Sequence, residues 1–156
     1  MKAEIMEMTD CIGLKEADTA VARKYGKLIG DALPRVIDDF YGHLFSIGYE
    51  KFFRDVNIDR LKAHQLDHWR RLFEVEIDKV HTTHMTRIGV VHRDRDVTPK
   101  VYMQSYGWFT SRLVDEITRL PGVDPTERAP LAAAVLKLIF LDMTMALASY
   151  DAALID

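Results

Sequence analysis

Apolar residues recur at three- and four-residue steps along nearly the whole chain, and few stretches alternate with period two, so the pattern predicts helices throughout. A first helix starts near Leu14 or Lys15 and runs to Ala32, with Val21, Tyr25, Leu28, Ile29 and Leu33 as its apolar positions. Pro34 suits the first turn of a second helix, which carries Val36, Ile37, Phe40, Tyr41, Leu44 and Phe45 until Gly48 ends it. Tyr49 to Phe53 read as a short helical turn. Asn57 or Asp59 can cap a long helix from Ile58 to about Val80, with Leu61, Leu66, Trp69, Leu72, Phe73 and Ile77 on its apolar side. His81 to Arg93 form a further segment. Pro99 restarts the chain for a helix to about Leu120, and Pro121-Gly122 breaks it. The last helix runs from about Pro125 to Ala152, with Asp124 as its cap. The expectation is an all-α domain of about seven helices.

Composition adds bounds. A chain of 156 residues, 48% hydrophobic and 29% charged, fits one globular domain, 1–156, in which 1–13 are a mobile or extra N-terminal segment. The net charge of −3 and the lack of a basic stripe give no reason to expect nucleic acid. Cys11 stands alone, so no internal disulfide can form, and a reducing compartment is expected. The acidic stretch Met1 to Met8 lacks the apolar core of a signal peptide. Leu131 to Leu147 is the most apolar run, but Lys137 and Asp142 interrupt it, and it reads as too short and too punctuated to span a bilayer. These features predict a soluble cytoplasmic protein with no membrane partner.

The candidate chemistry centres on His92. It ends a short apolar run, Ile88 to Val91, and is followed at once by Arg93-Asp94-Arg95-Asp96 and then by Pro99, which opens the helix carrying Tyr102 and Tyr106. An imidazole with a rigid apolar wall behind it suits an axial metal ligand. A partly buried histidine at a helix end fits the same pattern. The other histidines form an i,i+4 pair, His64/His68, and an i,i+3 pair, His81/His84, each able to share a cation. Asp67, Glu76 and Asp78 do not supply the matched carboxylates of a di-iron bundle. No Ser–His–Asp or Cys–His arrangement and no phosphate loop stand out, so an enzyme is not expected.

Three motifs carry a resemblance. Arg87-Ile88, three residues, then His92, followed seven residues on by Pro99-Lys100, one residue, then Tyr102-Met103, resembles the proximal-histidine segment of the globin domains of bacterial globin-coupled sensors. Arg60-Leu61-Lys62 through Phe73 resembles their distal helix, and Asp39-Phe40-Tyr41 resembles the motif holding their distal tyrosine. The matches fall in the family's order and cover most of the chain.

The resemblance implies a globin-like three-over-three helical sandwich that binds haem b and takes dioxygen or another diatomic gas. It implies His92 as proximal ligand to the iron, with Ile88 and Val91 beside it and Tyr102 behind it. On the distal side it implies Tyr41, next to Phe40, as hydrogen-bond donor to dioxygen, and Leu61 as an apolar gate. His64 departs from the pattern, which often has a small hydroxyl residue there, and is either a second donor or a distal iron ligand. The charged run 93–96 replaces the usual apolar turn and puts the family's signalling coupling in doubt. Arg93, Arg95 or Lys100 could pair a haem propionate. The family also implies a homodimer through the last two long helices, with Tyr106, Phe109, Leu113 and Ile117 contributing. It implies signal transduction to an output domain outside this chain. A haem-free globin-folded interaction module is the alternative.

Overall fold

The computed structural model describes residues 2–151, and the side chains of 5–150. Among them the order is α1 (Lys2–Ile12), α2 (Glu16–Ser46), a 3-10 turn (Tyr49–Phe53), α3 (Ile58–Phe73), α4 (Lys79–Asp94), α5 (Pro99–Arg119) and α6 (Arg128–Asp151), with no strand. The predicted all-α class holds. The predicted extra segment is largely helix α1, which packs against α6, and the predicted helix end at Ala152 lies outside the described residues.

Pro34 does not divide two helices, as its position suggests, but lies inside the continuous α2. A proline there removes the N–H that would reach the carbonyl four residues back, which belongs to Gly30. Arg70 of α3 reaches that carbonyl instead, its Nη2 donating at 3.4 Å. The same crossing depends on small residues: a side chain at Gly26 would meet the Phe73 carbonyl at 3.0 Å, and one at Gly30 would meet Arg70.

The long helix expected from Ile58 to Val80 stops at Phe73. Asn57 caps its start, accepting from the Arg60 N–H at 2.9 Å. At its end Val75 adopts a left-handed φ of 61°. The Val75 N–H then reaches Leu72 O at 3.0 Å and the Glu76 N–H reaches Arg71 O at 2.9 Å, the two bonds of a Schellman cap. The chain turns, and Asp78 caps α4 by accepting from the His81 N–H. Helix α4 ends the same way, with Asp96 at φ 60° and the Asp96 and Val97 N–H groups on Arg93 O and His92 O. The expected charged turn is therefore this cap. Thr98 and Pro99 open α5.

The last helix begins at Arg128, three residues later than Pro125 suggests, because Asp124 folds over Thr126 instead, accepting from its N–H at 2.8 Å and its hydroxyl at 2.6 Å. Helix α6 packs against every other helix. By length and composition it could cross a membrane, with a mean hydropathy of 2.0 over its most apolar window, contrary to the expectation that this stretch is too short. More than half of that window (56%) is buried inside the fold, as a core helix requires. Both interrupting charges have partners: Lys137 donates to Asp18 at 2.7 Å, and Asp142 lies against two histidines.

The core falls into two clusters. One gathers α2, α3, the inner face of α5 and the first half of α6, including Phe40, Tyr41, Trp69, Phe73, Phe109 and Leu138, with Phe53 and Leu61 against it. The other holds Met85, Val97, Tyr102, Leu141 and Ala146, with Phe52 and Ile88 against it. They meet at Leu14, Ile77 and Tyr106, which touch both.

Candidate functional site

Helix α4 presents His92 in its last turn, with the backbone there fixed by the cap that takes the His92 carbonyl. The ring is fixed separately. Its Nδ1 lies 2.8 Å from the Ile88 carbonyl, so Nδ1–H donates and Nε2 is left with its lone pair free to coordinate. Tyr102 of α5 meets the imidazole edge-on at 4.9 Å and 74°. Burial pushes the imidazole pKa down; the Ile88 carbonyl partly opposes this, and the nearby Arg95 charge adds to the lowering. The ring is therefore neutral at pH 7, the form that binds metals. Ile88 packs beside it in the second cluster, and Val91 is 44% exposed.

Tyr41 stands in the first cluster, ringed by Phe40 at 5.5 Å, Phe53 at 5.6 Å and Phe45 at 6.3 Å. Lys62 Nζ lies 5.7 Å from its ring centroid, held there by an ion pair with Asp38 at 2.8 Å. Burial raises the Tyr41 phenol well above its ordinary value, so it keeps its proton and can donate. Leu61 joins this cluster from α3. His64, one turn further on, is exposed, and Arg60 Nε donates to its Nε2 at 3.4 Å.

The fold thus brings His92, Tyr102 and Ile88 together, and Phe40, Tyr41 and Leu61 together, in the two halves of the divided core. The 3-10 turn joins them, Phe53 facing Tyr41 and Phe52 facing the Tyr102 side. Arg95 ties the end of α4 to this turn, Nη1 donating to the Phe52 and Arg54 carbonyls at 3.3 and 3.1 Å. Arg93 pairs with Asp94 at 3.1 Å, but its Nη1 is buried without a partner.

A polar group that the pattern did not single out lies behind this arrangement. The Tyr102 hydroxyl donates to the Tyr106 hydroxyl at 3.1 Å, which donates to Asp142 Oδ2 at 3.0 Å. Asp142 also meets His68 and His81, each Nε2 at 3.0 Å. Burial alone would raise the Asp142 carboxyl, but the charges and hydrogen bonds of His68 and His81 outweigh it and hold the pKa below the usual carboxylate range. One histidine from each sequence pair is used here, rather than a pair from one helix. The available signal was Asp142 itself, a charge in the middle of an apolar helix, which requires a buried partner.

On the outer side, a groove of about 440 Å³ runs between α5 and α6, lined by Met103, Gly107, Val114, Leu136, Phe140 and Met143 among others. Met103 and Phe140 are each 51% exposed. Phe109, Leu113 and Ile117, expected at an interface, are buried in the core instead. The repeat that aligns them was right, but the face they mark is the inner one.

A family model described as Protoglobin matches residues 1–155. Among solved structures, the globin domain of the Geobacter sulfurreducens globin-coupled sensor superposes with a TM-score of 0.77 at 21% identity, covering 93% of this chain and 96% of that one. The fold is that of a globin, as the motif order predicted. No curated protein sequence matches.

Proposed function

The chain belongs to the protoglobin family, and on that premise we propose that it is a haem-binding gas sensor in which His92 holds the iron. The observation that carries this reading is the preparation of one imidazole: Nδ1 tied to the Ile88 carbonyl, the ring neutral, and Tyr102 packed against its edge. A haem b would supply an iron able to take dioxygen or another diatomic gas.

The residues present fit such a group. It needs a neutral nitrogen base, apolar walls, a donor on the opposite face and cationic groups for its propionates. His92 offers the base, and Ile88, Val91, Phe40 and Leu61 the walls. Tyr41 offers a buried phenol that stays protonated. Of the three cations open as propionate partners, Arg95 is already engaged by two backbone carbonyls, whereas Arg93 has a buried Nη1 without a partner. Arg93 is therefore favoured over Arg95 as the propionate partner in this reading, with Lys100 the alternative.

Tyr41 would donate to a polar bound gas, a charge-assisted bond contributing about 1–3 kcal/mol. Tyr102 would fix the orientation of His92, and its own hydroxyl is directed to Tyr106. His64 keeps a distal role, as second donor or as iron ligand, which requires its ring to leave Arg60. The outer groove supports a homodimer through α5 and α6, with Met103 and Phe140 as the contact residues rather than the buried Phe109, Leu113 and Ile117. Output would pass through that helical interface to a domain outside this chain.

Titration of the purified chain with haemin, followed in the Soret band, tests the reading. One haem per chain is expected, with much weaker binding in His92→Ala. A chain that takes up no haem is a haem-free interaction module. Comparing ferric and ferrous spectra of the native chain with those of His64→Ala reports whether His64 sits on the iron.

A further inference from the structure

Helix α6 places a fully buried carboxylate in the centre of the fold. Asp142 is 0% exposed, and its two oxygens are divided among three elements: His81 Nε2 of α4 on Oδ1, and His68 Nε2 of α3 and the Tyr106 hydroxyl of α5 on Oδ2, all at 3.0 Å. The His68 and His81 rings lie nearly parallel, 5.3 Å apart at 17°. His84 stacks on the outer side of His68 at 5.7 Å and is itself exposed, which marks the route to solvent. No lysine or arginine pairs with Asp142 among the described residues. A buried negative charge requires a compensating positive one, so the balance falls to an imidazolium or to a bound cation.

We propose that His68, His81 and Asp142 form a site for a divalent first-row transition ion, with zinc as the representative. The three ligand atoms lie within 4.8 Å of one another. Donors around a tetrahedral zinc stand roughly 3.3 Å apart for bonds of about 2.0–2.1 Å; each imidazole is 3.0 Å from a different carboxylate oxygen, so with one oxygen on the ion one 3.0 Å separation opens slightly while the wider ones, up to 4.8 Å, close by roughly 1.5 Å. Two imidazole nitrogens with one carboxylate select such an ion over calcium or magnesium, which take oxygen donors. On binding, each neutral imidazole moves its proton to Nδ1, and any proton that had made an imidazolium is released to solvent. Tyr106 holds the carboxylate from outside the ligand set, as carboxylate ligands require.

This site does not depend on the haem reading. His81 lies eleven residues before His92 on the same helix, roughly 16 Å along its axis, and the two sites share no ligand. The Tyr106–Tyr102 chain nevertheless connects Asp142 to the residue packed on His92.

The test is zinc uptake by the purified full chain, with or without added haem, after chelator treatment, measured by equilibrium dialysis and elemental analysis, with X-ray absorption at the zinc edge. Haem iron does not interfere with either measurement. The expected result is one zinc per chain at micromolar concentration, with a first shell of imidazole nitrogen and carboxylate oxygen. His81→Gln, which keeps an amide facing Asp142, should lose this uptake, while His84→Ala should keep it. Absence of uptake by the folded chain would overturn the proposal. So would uptake that survives His81→Gln, or a zinc shell on the native chain without imidazole, which needs no variant to fold.

Discussion

At Gly89 the backbone of α6 lies directly against α4, and replacing this glycine with alanine should cost the fold measurably. A methyl group built there falls 1.9 Å from the Ser149 hydroxyl and 2.2 Å from the Ala146 carbonyl oxygen, where ordinary contact begins at 3.4 Å. The serine can turn aside, but it then gives up its 2.6 Å bond to that same carbonyl, worth about 1 kcal/mol. The carbonyl is helix backbone and cannot turn. The helices must separate by roughly 1 Å, an overpacking that costs about 1–3 kcal/mol. Alanine also recovers about 1 kcal/mol of helix propensity. The net expectation is a loss of about 2 kcal/mol, or roughly 4–8 °C in Tm for a domain of this size. Thermal melts followed by circular dichroism measure it. Gly42→Ala is the control, because nothing lies within 4 Å of a side chain there, and it should raise Tm slightly. If Gly89→Ala is as stable as the native chain, the close crossing of α4 and α6 is not real.

Tyr41→Phe should speed dioxygen release from the haem-loaded protein by roughly 5- to 150-fold, the equivalent of losing about 1–3 kcal/mol, while carbon monoxide release changes far less; stopped-flow rates that shift equally for both gases would remove the phenol from this role. Partial burial raises the Glu116 pKa, but Arg112 and Arg35 hydrogen-bond to it and lower it overall from 4.5. Its stabilising contribution is therefore complete above about pH 4.5 and is lost as pH falls through the lower folded-state value. Glu116→Gln should flatten the fall of Tm with acid in that window, and an unchanged slope would show that the pair does not contribute. Val75→Gly should raise Tm by a few degrees, because the left-handed conformation costs a non-glycine residue about 1–2 kcal/mol and Val75 is only partly buried; a lower Tm would mean that its packing outweighs the strain.

The features legible in the sequence are those with a local chemical cause. Asn57 and Pro99 announce helix starts, and the repeat of Val36, Ile37, Phe40 and Tyr41 marks an inner face that is indeed buried. The misread boundaries have non-local causes. Pro34 is tolerated inside α2 alongside a guanidinium arriving from α3, and α3 ends on a valine in the position where glycine is the usual signal. Periodicity identified the stripe of Phe109, Leu113 and Ile117 but could not say which side of α5 faces the core. The candidate site was legible as two separate motifs, around His92 and around Tyr41. The cluster on Asp142 was not, because its members come from four helices far apart in sequence and only the packing of α6 against the rest unites them.

In the proposed function, His92 Nε2 is the protein's bond to the iron. Replacing His92 with glycine leaves a space that free imidazole can fill, and resonance Raman spectroscopy of the ferrous haem reads the iron–imidazole stretch directly. The stretch should be present in the native chain, absent in His92→Gly, and restored when imidazole is added. A stretch that persists in His92→Gly without added imidazole would place another residue on the iron and contradict that assignment.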